Sequence, residues 1–146
     1  MAQVVRRMAV STLFFVVMLT IGLLGILVWF ARLQATSLVY PADFPSTGTP
    51  QAVGITDYET VQLTTSDGVT LAAWYVPPPV AGGGGVVYAH GIASQKDHWL
   101  PEMRVLHNAG YGALMLDFRN HGDSGGDVTT LGALEVTDIQ AGYDYL

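Results

Sequence analysis

The chain has 146 residues, six Lys and Arg against twelve Asp and Glu, and no cysteine. Without cysteine there are no disulfides, no thiol nucleophile and no thiolate metal site. From Asp43 onward twelve acidic side chains face only Lys96, Arg104 and Arg119. That field repels phosphate backbones and excludes nucleic acid as a partner.

Half the residues are hydrophobic and 12% are charged, an average over two unlike segments. Residues 1–8 form a short tail with Arg6 and Arg7. Ala9 to Phe30 has no charge and no proline, and at about 1.5 Å per residue it spans a bilayer core of roughly 30 Å. Residues 9–31 therefore read as a transmembrane signal anchor and the membrane contact of the chain. A cleaved signal peptide has a shorter apolar core of about 7–15 residues and a small-x-small cleavage site, which Leu33-Gln34-Ala35 does not match. Arg6, Arg7 and the amino terminus precede the span and Arg32 alone follows. That bias places the N-terminus in the cytoplasm and the rest outside.

Residues 32–56 carry Pro41, Pro45, Gly48 and Pro50 with little apolar periodicity and read as an extended linker. The domain of residues 57–146 then alternates strand and helix patterns. Thr60 to Thr64 and Val69 to Val76 predict a hairpin about Ser66-Asp67-Gly68. Val86 to Ala89 is a short apolar run, the pattern of a strand buried on both faces. Leu100, Met103, Leu106 and Ala109 predict a core-facing helix from about Asp97, its N-cap, to Ala109. Tyr111 to Leu116 predicts a strand parallel to Val86–Ala89. A last helix from about Thr130 is expected to pack through Leu131, Leu134, Ile139, Tyr143 and Leu146. The order β-β-β-α-β-α describes an α/β sheet with a hairpin edge. A further parallel strand is expected after the last helix, so the sheet reads as incomplete.

Two segments carry chemistry. At the strand end His90-Gly91-Ile92, backbone N–H groups can be aimed at a developing oxyanion, and glycine lets substrate approach the backbone; an ordinary strand-ending turn is the alternative. Asp117-Phe118-Arg119-Asn120-His121-Gly122-Asp123-Ser124-Gly125-Gly126 follows the next strand. Its Gly122-Asp123-Ser124-Gly125-Gly126 satisfies Gly-x-Ser-x-Gly. A nucleophile elbow needs the strand to run straight into the first glycine and a helix to leave at once. Here Phe118 to His121 intervene, and no histidine follows His121. Ser124 therefore reads as a turn residue, with Asp117 and Arg119 bracing the loop by a salt bridge or backbone hydrogen bonds. His90, His98, His107 and His121 lack metal-ligand spacing, so no metal is expected.

These segments, with Thr65-Ser66-Asp67-Gly68-Val69 and Trp74-Tyr75-Val76-Pro77, resemble the opening of α/β-hydrolases of the serine-aminopeptidase and monoacylglycerol-lipase type. The segment Asp117 to Ser124 is similar to their Asp-x-Arg-Gly-x-Gly-x-Ser loop, with Asn120 in place of the usual glycine. The resemblance covers about 90 residues and, with the anchor, is similar to the membrane-anchored branch. It implies an incomplete α/β-hydrolase sheet behind one transmembrane helix, the N-terminal part of a serine hydrolase of small esters or amides. It implies no cofactor, the Ile92 amide as an oxyanion donor, and His90 and Gly91 as the oxyanion segment. Nucleophile, acid and base find no place among the 146 residues, so the chain alone is expected to be inactive. The other reading is a non-catalytic, membrane-tethered remnant or interaction module; oligomeric state is not legible.

Overall fold

The computed structural model describes residues 1–41 and 46–146. The chain divides into two compact units, Met1–Ser37 and Leu38–Leu146. Helix α1 runs over Ala2–Val39 with no buried residue, and its most apolar stretch has a mean hydropathy of 2.7. It is long and apolar enough to cross a membrane.

The linker expected over residues 32–56 is not extended. Ala31 to Ala35 are mostly good helix formers, and α1 continues through them to Val39. Pro41 then disfavours helix at the residue before it. Pro45 lies outside the described residues. Beyond it, Ser46 donates to Gln95 at 2.9 Å and the Thr47 amide to Asp97 at 2.5 Å. Pro50 begins a 3-10 turn that ends at Gly54, and Pro50 and Ile55 are buried. This segment is part of the folded domain.

Strands β1 (Glu59–Thr64) and β2 (Thr70–Val76) form the expected hairpin. It turns at Gly68, whose φ of 87° suits a residue without Cβ. After β3 (Gly85–Ala89) come α2 (Leu100–Asn108), β4 (Gly112–Leu116) and α3 (Glu135–Tyr145). The sheet order is β1-β2-β4-β3, with β3 and β4 parallel and the other pairs antiparallel. This mixed sheet is the expected α/β architecture with a hairpin edge. β4 is wholly buried between its neighbours. Its residues alternate: Ala113 and Met115 join Trp74, Leu100 and Met103 on one face, and Leu114 and Leu116 join Leu63 and Leu71 on the other. β3 differs from expectation. It lies at the sheet edge and is only half-buried.

Both helices start later than their patterns predict. Residues Lys96–Trp99 form a 3-10 turn, and α2 begins at Leu100 with Pro101 in its first turn. Asp97 is no N-cap; its carboxylate holds Thr47. Ala109 is exposed rather than core. In α3, the left-handed φ of Leu131 (55°) and Gly132 (99°) delays the helix to Glu135. Most of the expected packing residues lie outside: Leu131, Leu134, Tyr143 and Leu146 are exposed and Ile139 is half-buried, while Glu135, Asp138 and Gly142 are buried. Arg119 recruits Asp138 inward, and Gly142 then brings α3 against the sheet.

A Cβ on Gly142 would stand 2.9 Å from Leu116 Cδ2 and 3.2 Å from Val87 Cγ1. Gly142→Val is therefore expected to destabilise the domain by about 1–3 kcal/mol through overpacking, read by chemical denaturation of the full chain in detergent. Unchanged stability would mean that α3 does not rest on the sheet at this point.

Candidate functional site

The site grows from the C-terminal ends of β3 and β4, which lie side by side because the strands are parallel. At the end of β4, Asp117 is fully buried. One carboxylate oxygen accepts the Lys96 amide at 2.7 Å; the other accepts Lys96 Nζ at 2.5 Å and the Asp123 amide at 3.0 Å. A carboxylate without water needs such donors to remain charged. A Cβ at Gly122 would collide with that carboxylate, so glycine is required where the loop folds over it.

Lys96 is 2% exposed. Its Nζ also reaches Asp123 at 2.7 Å and lies 4.9 Å from the centre of the Trp74 ring. Burial pulls the ammonium pKa down, but hydrogen bonds to Asp117 and Asp123 outweigh it and hold the pKa above its usual value. The lysine stays charged, as a counter-ion.

Arg119 makes the second knot. It reaches Asp67 in the hairpin turn with NH1 at 2.7 Å and Asp138 in α3 with NH2 at 2.7 Å, and it also binds Thr137. Its hydrogen bonds to Asp67 and Asp138 raise its pKa further, and Arg119 in turn holds the Asp67 carboxyl far below the usual range. Asp117 and Arg119 therefore both bind partners distant in sequence rather than each other. Ser124 is also engaged: its Oγ donates to the Asp117 carbonyl at 2.7 Å and accepts the Ala72 amide at 2.9 Å.

Two histidines tie the β3 end to this loop. Nε2 of His90 accepts the Phe118 amide at 3.0 Å, which leaves Nδ1 to donate to the Gly91 carbonyl at 2.7 Å. Nε2 of His121 accepts the Ala93 amide at 3.3 Å, and Nδ1 donates to the Arg119 carbonyl at 2.9 Å. Both rings are thereby fixed as neutral Nδ1–H tautomers, 5.0 Å apart. Burial lowers the His90 pKa and outweighs the opposing effect of its hydrogen bond to the Gly91 carbonyl.

Gly91 and Ile92 follow His90 on a turn held by these bonds. They line a pocket of about 290 Å³ together with His90, Phe118, His121 and Leu131. Among the described residues the Ile92 amide donates to no protein acceptor. A Cβ on Gly91 would meet nothing within 4 Å, so the space beside the strand end is open. The chemistry this geometry allows is a free backbone donor on the wall of an open, mostly apolar pocket.

Lys96, Asp138 and Glu135 carry no motif, Asp67 was legible only as part of the hairpin turn, and none of the four was visible in the sequence as a member of this region. One signal existed: a strongly acidic domain with three basic residues places high demand on each base. Breaking the first knot should be costly. Asp117→Asn is expected to lower stability by about 3 kcal/mol, because it leaves Lys96 charged in a dry site. Adding Lys96→Met to that variant should recover more than half of the loss, read from denaturation midpoints. Equal midpoints for wild type and Asp117→Asn would contradict the pairing.

No family model and no curated protein matches this sequence. Solved structures do. An esterase of Pyrococcus furiosus superposes with a TM-score of 0.66 at 34% identity, over 75% of this chain and 41% of the esterase. Another crystal form of it gives 0.63 at 30% identity, over 75% and 40%. An epoxide hydrolase of Vigna radiata gives 0.52 at 23% identity, over 61% of this chain and 27% of that one, a likeness of fold alone. The chain thus spans less than half the length of these proteins. With its mixed four-stranded sheet, it carries part of an α/β-hydrolase fold.

Proposed function

We propose that this chain carries the oxyanion side of a membrane-anchored serine hydrolase, of the serine-aminopeptidase and monoacylglycerol-lipase-like type, acting on small esters or amides by acyl transfer. The observation that carries the reading is the unengaged Ile92 amide on the wall of an open pocket, next to His90 and Gly91. A carbonyl oxygen placed there would accept from that amide, and the bond would strengthen as negative charge develops. Likeness to an esterase at 34% identity supports an ester as substrate. Helix α1 supports anchoring, with Arg6 and Arg7 on the cytoplasmic side.

In this reading Ser124 is not the nucleophile. Its hydroxyl already bridges the Asp117 carbonyl and the Ala72 amide, and both nearby histidines accept backbone amides through Nε2. Neither of these two rings keeps a nitrogen free to take a serine proton. Asp117, Arg119 and Ser124 hold the loop, and the 146 residues by themselves do not turn over ester.

A second reading, a non-catalytic membrane-tethered interaction module, has its own observation. The open edge of β3 and the exposed Tyr143 and Leu146 border a broad surface cavity. An uncovered strand edge beside apolar side chains is a site for pairing with another chain.

The readings separate in a chimera in which residues 46–146 replace the matching part of the Pyrococcus esterase. Ester turnover is expected, and Gly91→Val should cut kcat/KM by about 10²-fold without lowering the melting temperature. Ser124→Ala should lower the melting temperature while leaving turnover per folded molecule unchanged. A folded chimera without turnover, or one silenced by Ser124→Ala with melting intact, would contradict the proposal.

A further inference from the structure

The pocket beside Ile92 contains a residue that stability does not explain. Leu131 has a left-handed backbone, φ 55°, and its side chain is 59% exposed. A branched side chain in that region costs backbone energy, and so little burial does not return it. Glycine would sit there without strain.

The turn is nevertheless built with care. The Glu135 carboxylate accepts the Thr130 amide and the Gly132 amide, each at 2.6 Å, and the Thr130 hydroxyl at 2.7 Å. Burial alone would raise the Glu135 pKa; the hydrogen bonds from Thr130 and Gly132 overcome this and lower it. Thr130 Oγ1 also accepts the Leu134 amide at 2.9 Å. Three donors clamped on one buried carboxylate hold Leu131 where it lines the pocket.

The polar side chains of the lining are already engaged. Both nitrogens of His90 and of His121 have backbone partners, Thr129 Oγ1 accepts from Asn120, and Glu135 holds its turn. What remains for a ligand is the apolar surface of Ile92, Phe118 and Leu131, with the Ile92 amide among the backbone donors that bind no protein acceptor among the described residues. At about 290 Å³, the space is at the small end of ligand sites, which begin near about 300 Å³. A complementary ligand has a single acceptor at one end of a short apolar chain.

We infer that this pocket receives the acyl chain of a short-chain ester, and that Leu131 is the residue that sets its preference for chain length. This rests on the oxyanion reading of Ile92 and adds the acyl side of the substrate. The strained turn at Leu131 keeps an apolar side chain in the lining of the same pocket as that amide.

The test uses the full chain in phospholipid nanodiscs, with amide and methyl NMR during titration with sodium acetate, butyrate and hexanoate. Their carboxylate oxygen stands in for the ester carbonyl oxygen. The dissociation constant is expected to fall about three- to fourfold per added methylene, the factor that burial of one CH₂ provides. Both the Ile92 amide and the Leu131 methyls should respond. Leu131→Gly relieves the strain, so it should melt no lower than wild type and yet flatten the chain-length gradient. Leu131→Trp should keep the acetate response and weaken hexanoate binding.

A gradient that survives Leu131→Gly overturns the inference. An Ile92 response to acetate with no chain-length gradient also overturns it, while leaving the oxyanion reading intact. A gradient at Leu131 with a silent Ile92 amide supports the chain pocket and instead overturns the oxyanion reading.

Discussion

Asp117 is a carboxylate with no exposed surface, and its charge is tolerable only because Lys96 is buried against it. A lone ion in such a place is costly enough that neither residue can leave without the other. Lys96 belongs to the turn after the β3 end, and Asp117 opens the loop after β4. The pair therefore locks together the two segments that frame the pocket. The backbone takes part: one carboxylate binds amides on both sides, at Lys96 and Asp123. The histidines complete the frame without charge, each accepting an amide from the opposite segment. The Ile92 turn thus hangs between fixed points, with its own amide left over.

Arg119 performs the same service on a larger scale. Its guanidinium joins the hairpin turn, the loop and α3 through Asp67 and Asp138. This explains the otherwise odd face of α3, which turns an aspartate and a glycine toward the sheet and leaves Tyr143 and Leu146 outside. Apolar burial would favour the opposite rotation, but a buried guanidinium without its carboxylate would cost more than those side chains gain. Of the three basic residues beyond Asp43, Lys96 and Arg119 are both interior counter-ions. The domain's acidity is therefore a matter of its surface.

The sheet was legible in the sequence because its signals are local. β4 is a run of apolar residues between glycine and aspartate, and Asp67-Gly68 announces the hairpin turn. The position of His90-Gly91-Ile92 at a strand end was legible for the same reason. Three features were not. α1 continues to Val39 because a helix, once formed, runs until something stops it, and no glycine or proline does so before Pro41. The late start of α3 depends on Leu131 in a backbone conformation that leucine rarely adopts. Lys96 lies 21 residues from Asp117, and Asp138 and Asp67 lie 19 and 52 residues from Arg119; no periodicity records a contact at that range.

Buried ion pairs fix the frame while the Ile92 amide stays free. Native-state amide hydrogen exchange on the full chain tests this directly. The amides of Lys96, Asp123 and Ala72, bound to Asp117 and Ser124, should exchange only through openings close to global unfolding, whereas Ile92 should exchange quickly. Fast exchange at Lys96 and Asp123, or an Ile92 amide as protected as theirs, would contradict a frame fixed by the Lys96–Asp117 pair around a free Ile92 amide.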